Sequence, residues 1–470
     1  MQQAEIGLIG LGVMGSNLAL NIAEHGYRIA VWNRTTEKTQ AFAATAGALS
    51  DHVVPCETLE DLVAAIRPPR PIILMVQAGA AVDEQIAALR PLLSAEDIVI
   101  DAGNANFRDT MRRFAALEGS SLTFIGMGVS GGEEGARHGP SIMVGGTQAS
   151  WLRVRDVLVA ISAKYRDEPC VAWLGRNGAG HFVKTIHNGI EYADMQMIAE
   201  IYGILRDGAR LDTAAMARLF EQWNGGRLES YLIEITAKVL AATDPDTGRP
   251  MVDVIVDSAG QKGTGRWSVI EAQMMGVPAT AIEAAVAARG LSALKAEREA
   301  AQGLYGVPVT AFDRADLRDA VDDLELALFA GKIAAYAQGF AVMQAASKEF
   351  DWNLPMATIA RIWRAGCIIR SQFLDRIAEA FEDGAPANLL AAPRFVGLMT
   401  EAVPALRRTV ARAALAGIAV PALSAALGYF EAYRAARGTA NLVQAQRDFF
   451  GAHGFERIDR PGAHHGPWGG

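Results

Sequence analysis

The 470-residue sequence predicts an α/β N-terminal domain with a doubly wound, mostly parallel sheet, then a large all-α domain and an extended C-terminal tail. Three observations carry this reading. Between Ala4 and Gly175 short apolar runs alternate with helical patterns. After Gly178-Ala179-Gly180 the alternation stops and long Ala/Leu/Ile-rich amphipathic segments take over. From Arg437 onward Gly, Pro and His displace helical periodicity. Strand–helix alternation implies βαβ units and a parallel sheet covered on both faces.

In order along the chain, EIGLIG, RIAVWN, PIILMV, DIVIDAG and LTFIGMGV are short, rich in β-branched residues and bounded by Gly, Pro or Asn, which predicts buried strands. Asn17–His25, Thr36–Ala46 and Ala81–Leu89 fall between them with helical spacing. Phe182–Arg206, Val277–Gln302 and Leu317–Lys348 read as long helices. The expected units are therefore 1–178, 179–436 and the tail 437–470. Aromatic residues and Arg447 in that tail predict a segment that docks rather than one that stays free.

Composition excludes several classes. The 44 Lys and Arg against 52 Asp and Glu leave a net charge of −8, the wrong sign for a nucleic-acid partner. Cys56, Cys170 and Cys367 are scattered, which provides no metal framework and fits a reducing compartment. No apolar run is long enough for a membrane span, and MQQAEIGLIG enters the first strand without a signal-peptide pattern, so a cytoplasmic location is expected.

Directly after the first strand comes Gly10-Leu11-Gly12-Val13-Met14-Gly15. A bare G-x-G-x-x-G is a weak signal in a chain with 47 glycines, but between a strand and a helix it has a mechanism. Gly10 permits a tight turn, Gly12 lets the backbone approach a pyrophosphate, and Gly15 allows close helix–strand packing, as in a Rossmann-like dinucleotide-binding domain. Asn33-Arg34-Thr35 follows the second strand, where an NAD enzyme usually has an acid. A guanidinium pairs with a 2′-phosphate that a carboxylate would repel, so NADP is the expected cofactor.

The segment GHFVKTIHNGIEYADMQ, Gly180–Gln196, sets Lys184, His187, Asn188, Glu191 and Tyr192 at i, i+3, i+4, i+7 and i+8, on one helix face. In an arbitrary helix such a stripe is a solvated surface. Here the stripe holds every group needed for acid–base chemistry, and the flanking sequence is too apolar for a helix in water. One of Lys184 and Glu191 can take a proton from a hydroxyl as hydride leaves the same carbon. The other can protonate the carbanion left when carbon dioxide departs.

These motifs together are specific. The Gly180–Gln196 helix resembles the signature helix of the 6-phosphogluconate dehydrogenase (decarboxylating) family. FIGMGVSGGEEGARHGPSIMVGG (Phe124–Gly146), DSAGQKGTGRW (Asp257–Trp267), WRAGCIIRSQFL (Trp363–Leu374) and ANLVQAQRDFFGAH (Ala440–His453) resemble its blocks in order and spacing. The resemblance implies metal-independent oxidation of 6-phosphogluconate by NADP⁺ to ribulose 5-phosphate and carbon dioxide, a step of the pentose phosphate pathway and of gluconate utilization. It implies Lys184 as general base and Glu191 as general acid. Asn104 would lie between nicotinamide and substrate, and the cofactor would also touch Val76, Gln77 and Ala78. Ser130, Gly131 and Gly132 would hold the carboxylate end with His187 and Asn188. Tyr192, Lys262, Thr264 and Arg289 would hold the phosphate, with Arg447 and His453 arriving from the tail of the partner in a homodimer.

Residues 126–146 carry eight glycines, which argues against a regular strand or helix there and for backbone amides close to a ligand. The family commonly has Lys where Gln77 stands, Ser where Ala105 stands, Ser and Pro at Met127 and Val144, and Leu-Pro at Gly438-Thr439. Two rival readings share parts of the pattern. A β-hydroxyacid dehydrogenase or imine reductase would have no use for Lys262, Arg289 and Arg447. A non-catalytic dinucleotide sensor would have none for Lys184 and Glu191.

Overall fold

The computed structural model describes residues 3–468 apart from 121, 262, 307–308, 314–316 and 385. Its sheet contains β1 (Ile6–Ile9), β2 (Ile29–Trp32), β3 (Val53–Pro55), β4 (Pro71–Leu74), β5 (Ile98–Asp101), β6 (Thr123–Val129) and β7 (Ile142–Val144). A small antiparallel hairpin, β8 (Lys164–Tyr165) and β9 (Glu168–Pro169), then leads to the last sheet strand, β10 (Val171–Trp173). The order is β10-β7-β6-β5-β4-β1-β2-β3. Strands β1 to β6 pair in parallel, while β7 runs antiparallel to β6 and carries β10 parallel to itself.

Alternate side chains enter two separate cores, as a sheet covered on both faces requires. Leu8, Ile73, Ile98 and Ile100 pack on one face, and Ile9, Ile72, Leu74 and Val99 on the other. Three strands escape the sequence reading: β3, β7 and β10 have three residues each, too few to show a period.

The eight glycines of 126–146 do not exclude regular structure, contrary to the expectation. Gly126 and Gly128 lie inside β6, and Gly132 and Gly135 inside the short helix Gly132–His138. Close helix approach explains the two in the strand. A Cβ on Gly128 would stand 2.5 Å from the Lys184 Cβ, and one on Gly126 would stand 2.9 Å from His181 Nδ1.

Behind the sheet, the helix Ala179–Gly203 runs into a wider π-type turn, Ile204–Gly208, and is buried along most of its length. It packs on the helix Leu317–Glu349, which is apolar and long enough to cross a membrane but is almost wholly buried among Pro393–Leu415, Pro421–Tyr433 and Ala179–Gly203. The helix predicted over Val277–Gln302 is two, Thr280–Ser292 and Lys295–Tyr305. Ser292 makes the break: its hydroxyl donates to the Arg289 carbonyl at 2.7 Å and accepts from Ala259 N at 3.0 Å, competing with the helix backbone.

The tail forms a helix, Ala440–Gly451, and a hairpin, β11 (Phe455–Glu456) with β12 (Ala463–His464). Asp448 knits them together, accepting from Gly454 N at 2.8 Å, Gly466 N at 2.9 Å and Trp468 Nε1 at 2.6 Å.

One buried ion pair fixes how the two longest helices meet. Lys332 Nζ donates to both Asp194 oxygens, at 2.8 and 2.7 Å, with side chains only 5% and 2% exposed. Leaving one charge there without its partner is costly, so Lys332→Met is expected to lower stability by about 3–5 kcal/mol. The double change with Asp194→Asn should cost less than Lys332→Met alone. Urea unfolding followed by circular dichroism checks both.

Candidate active site

The glycine turn has the geometry that a dinucleotide needs. Gly10 adopts φ +101°, closed to most side chains, and a Cβ on Gly15 would collide with the Gly10 carbonyl. On Gly12 the Cβ direction is open, with nothing within 4 Å, at the N-terminus of the helix Val13–Glu24. That open cradle of backbone and helix dipole fits a pyrophosphate.

Beside it a cavity of about 270 Å³ is lined by Gly10, Asn33, Arg34, Thr35, Val76 and Gln77, all singled out in the sequence, and by Lys38, which was not. Arg34 is exposed and makes no hydrogen bond or ion pair among the described residues, so it is free to meet a phosphate. Asn33 is occupied: its Oδ1 accepts from Leu11 N at 3.0 Å and its Nδ2 donates to Thr35 O at 3.3 Å, tying the glycine turn to the end of β2. Ala78 is not among the residues lining the cavity. Lys38, one helical turn beyond Arg34, looked like any surface lysine; only the cavity brings it beside Arg34.

The polar stripe of Ala179–Gly203 is buried and its members meet. Lys184 Nζ donates to Ser130 Oγ at 3.0 Å, and Ser130 Oγ lies 3.3 Å from His187 Nε2. His187 Nδ1 is 3.2 Å from Asn188 Oδ1 and 3.7 Å from Glu191 Oε2. Ser130, at the end of β6, thus joins the amine to the imidazole, and the imidazole reaches the carboxyl.

Burial sets the protonation of this cluster. It pulls the Lys184 amine below its ordinary value, against the opposing charge of Glu191. Burial likewise raises the Glu191 carboxyl, against the charges of Lys184 and Arg289. His187 is held well below its usual value by burial and then by Lys184, so it is neutral. Burial thus favours the neutral amine and the protonated carboxyl, the forms in which a lysine can accept a proton and a glutamate can give one.

The remaining predicted residues sort by contact. The Arg289 guanidinium lies 3.7 Å from the centroid of the Tyr192 ring. Gly265 permits that ring to pack against the start of the helix Thr264–Met274, where Thr264 is buried. Gly131, at φ +105°, packs against the Gly366 carbonyl, while Gly132 faces open space. Asn104 is exposed in the turn after β5. Lys262 lies outside the described residues. Arg447 and His453 are exposed in the tail, and Arg447 bonds only to Gln444 (3.0 Å) among the described residues, so one chain alone does not join them to the Lys184 cluster.

The sequence reading missed His181, one turn before Lys184. It is buried, and its Nδ1 lies 2.7 Å from Thr110 Oγ1. Nothing local distinguishes it from a core histidine; its partner is 71 residues away.

With this geometry in place, two family models match the chain: the C-terminal domain of 6-phosphogluconate dehydrogenase over residues 180–468, and the NAD binding domain of 6-phosphogluconate dehydrogenase over 5–175. The chain belongs to the 6-phosphogluconate dehydrogenase family. It is 49% identical over 471 residues to the decarboxylating 6-phosphogluconate dehydrogenase of Synechococcus elongatus, covering 100% of both chains. It is 47% identical over 466 residues to that of Staphylococcus aureus strain Mu50, covering 99% of each. Its fold matches the Plasmodium falciparum 6-phosphogluconate dehydrogenase, solved without ligand, with NADP⁺ and with 6-phosphogluconate, at a TM-score of 0.96 and 41% identity over 99% of this chain and 100% of that one.

Arg34→Ala is expected to weaken NADP⁺ binding by about 10–100-fold, the loss of a charge-assisted pair, and to leave NAD⁺ binding nearly unchanged. Calorimetric titration with each dinucleotide measures the difference.

Proposed function

We propose that this chain converts 6-phospho-D-gluconate and NADP⁺ to D-ribulose 5-phosphate, carbon dioxide and NADPH, with Lys184 as general base, Glu191 as general acid and no metal ion. The observation that carries the reading is the buried Lys184–Ser130–His187–Glu191 chain on one helix face, its amine and carboxyl displaced toward each other by burial. Residues 1–178 then act as the cofactor unit, 179–436 as the substrate unit and 437–470 as a clasp on a second copy.

In this reading the cofactor lies over Gly10–Gly15 with its 2′-phosphate toward Arg34 and Lys38, and accepts hydride from C3 of the sugar acid. Neutral Lys184 takes the C3 hydroxyl proton as that hydride leaves. The new ammonium hydrogen-bonds the C3 carbonyl oxygen, which draws the electron pair of the C1–C2 bond toward it as carbon dioxide departs. An ammonium in a dry site supplies the electrophile that this step needs, so the chemistry calls for no metal. Glu191 then protonates C2, and the proton on Lys184 passes back to the Glu191 carboxylate, directly or through solvent, so that the neutral amine and the protonated acid are both restored and no net proton is released. Ser130, Gly131, Gly132, His187 and Asn188 orient the carboxylate end from the tip of β6 and the helix. Asn104 stands between the nicotinamide and C3. Tyr192, Thr264, Arg289 and Lys262 take the phosphate.

Arg447 and His453 reach the site from a second copy. In support, the tail helix exposes Leu442, Val443, Phe449 and Phe450, an apolar surface that a partner would cover. The reaction places the protein in the pentose phosphate pathway and in gluconate use, in the cytoplasm.

Lys184→Arg keeps the charge but cannot give up its proton near neutral pH. NADPH formation, read by absorbance with 6-phosphogluconate, is expected to fall at least about 10³-fold while substrate binding stays within about tenfold. Turnover near that of the parent chain would remove Lys184 as base. A second test addresses the clasp. Lys184→Met and Arg447→Ala subunits, each inactive alone, are unfolded together and refolded. If tails act in trans in a dimer, random pairing restores about one quarter of full activity; if they act in cis, none returns.

A further inference from the structure

Beneath the turn after β5 lies a buried polar group that the proposed mechanism does not use. Asp101, at the end of β5, is fully buried, and its Oδ1 accepts from Gly103 N at 3.2 Å, shaping the turn that presents Asn104. Arg113 Nη1 reaches Asp101 Oδ2 at 3.5 Å, and its Nη2 donates to Gly79 O at 2.8 Å. Gly79 caps the helix Ala80–Leu89 just past Val76 and Gln77, so one guanidinium holds both loops on the cofactor side.

The next member is His181. Burial pushes the His181 imidazole down and the Asp101 carboxyl up, and the attraction between their charged forms only opposes both shifts. The Thr110 hydroxyl, 2.7 Å from Nδ1 and 3.3 Å from the Asn106 carbonyl, has its shorter contact with the ring. Nε2 is buried with no well-aligned hydrogen-bond partner among the described residues, and the ring lies next to the backbone of Asp101 and Gly103. A buried imidazole with one nitrogen unsatisfied is costly where an aliphatic side chain would fill the space. The position gives it a use. His181 sits one turn before Lys184 on the same helix, and both press against β6, where only glycine fits at 126 and 128.

We propose that His181 is a positioning residue: with Thr110 and Asp101 it locks the Gly103–Asn104 turn to the helix that carries Lys184, so that the cofactor side and the base hold one fixed spacing. This rests on the reading of Asn104 and Lys184 given above. Ångström-scale slack between groups that must align for hydride and proton transfer costs on the order of 10²-fold in rate. Slack in this turn leaves the glycine cradle and Arg34 untouched, so turnover suffers and dinucleotide affinity does not.

The test uses the full-length protein with NADP⁺ and 6-phosphogluconate as probes. His181→Leu is expected to lower kcat about 10–100-fold, with the NADP⁺ Kd from calorimetry within about twofold of the parent. Thr110→Val, a milder change that keeps the helix packing, is expected to lower kcat several-fold. Thr110→Ser, which restores the hydroxyl, should return kcat to near the parent value. The double variant Thr110→Val/His181→Leu should be no slower than His181→Leu, as for one unit.

The proposal fails if His181→Leu and Thr110→Val both keep kcat within about twofold of the parent. It fails also if their losses only track the folded fraction in thermal melts, or if Thr110→Ser does not rescue. A Lys184→Met variant run in parallel separates the two layers. If it turns over normally, the reading of the helix is wrong; if it is dead while His181→Leu is fully active, only the positioning role is wrong.

Discussion

The structure depends on burying a helix that carries charge. Ala179–Gly203 lies between the sheet and the helical domain, and water reaches little of it, so each polar group on it must find a partner inside the protein. The partners come from a different element at nearly every turn. His181 meets Thr110 of the sheet domain, and Lys184 meets Ser130 at the tip of β6. Asp194 meets Lys332 of the longest helix. Glu200 accepts from Ala422 N and Leu423 N at 2.8 and 2.9 Å, capping the positive end of Pro421–Tyr433. These contacts set the rotation of the helix as firmly as its apolar packing does. A rotation of one residue would strand several charges in a dry interior.

On the proposed reading, the same burial makes the chemistry possible. An exposed lysine holds its proton at neutral pH, and an exposed glutamate has lost its own. Desolvation moves Lys184 down and Glu191 up. Their mutual attraction opposes both shifts, and His187 between them stays neutral and adds no positive charge to the carboxyl's surroundings. The charge of Asp194, paired with Lys332, pushes Glu191 a little further up, so the structural ion pair also bears on the carboxyl proposed as the acid. Stability and reactivity therefore share residues on this helix, and a substitution that loosens it changes both.

How much of this was legible in the sequence follows from range. Five strands declared themselves because apolar runs of four to seven residues, rich in β-branched side chains, need no partner to be recognised; β3, β7 and β10 were too short to do so. The stripe from Lys184 to Tyr192 was legible because its spacing is local to one helix. Thr110, Asp101, Lys332 and Glu200 were not, since each acquires meaning from a residue far along the chain: Lys332 and Asp194 are 138 positions apart, Glu200 and Ala422 222. Glycine misled in one place. Eight in 21 residues suggested irregular backbone, yet two of them are what lets β6 lie against the helix, a contact that sequence spacing does not reveal.

Charge makes the last connection. A chain of net charge −8 repels a sugar acid that carries a carboxylate and a phosphate, so attraction must come from a local cluster in a cleft of low dielectric. Among the described residues of one chain that cluster comprises Arg289 over the Tyr192 ring and whatever proton Lys184 holds, to which the proposed reading adds Lys262; Arg447 and His453 stand exposed in the tail. On the proposed reading the remaining two, Arg447 and His453, arrive only with a second copy. Substrate then binds the paired form more tightly than the single chain, and by linkage the substrate must tighten the pairing by the same factor. The tail, tied together through Asp448 before it docks, has already met part of the ordering cost that would otherwise weaken that coupling.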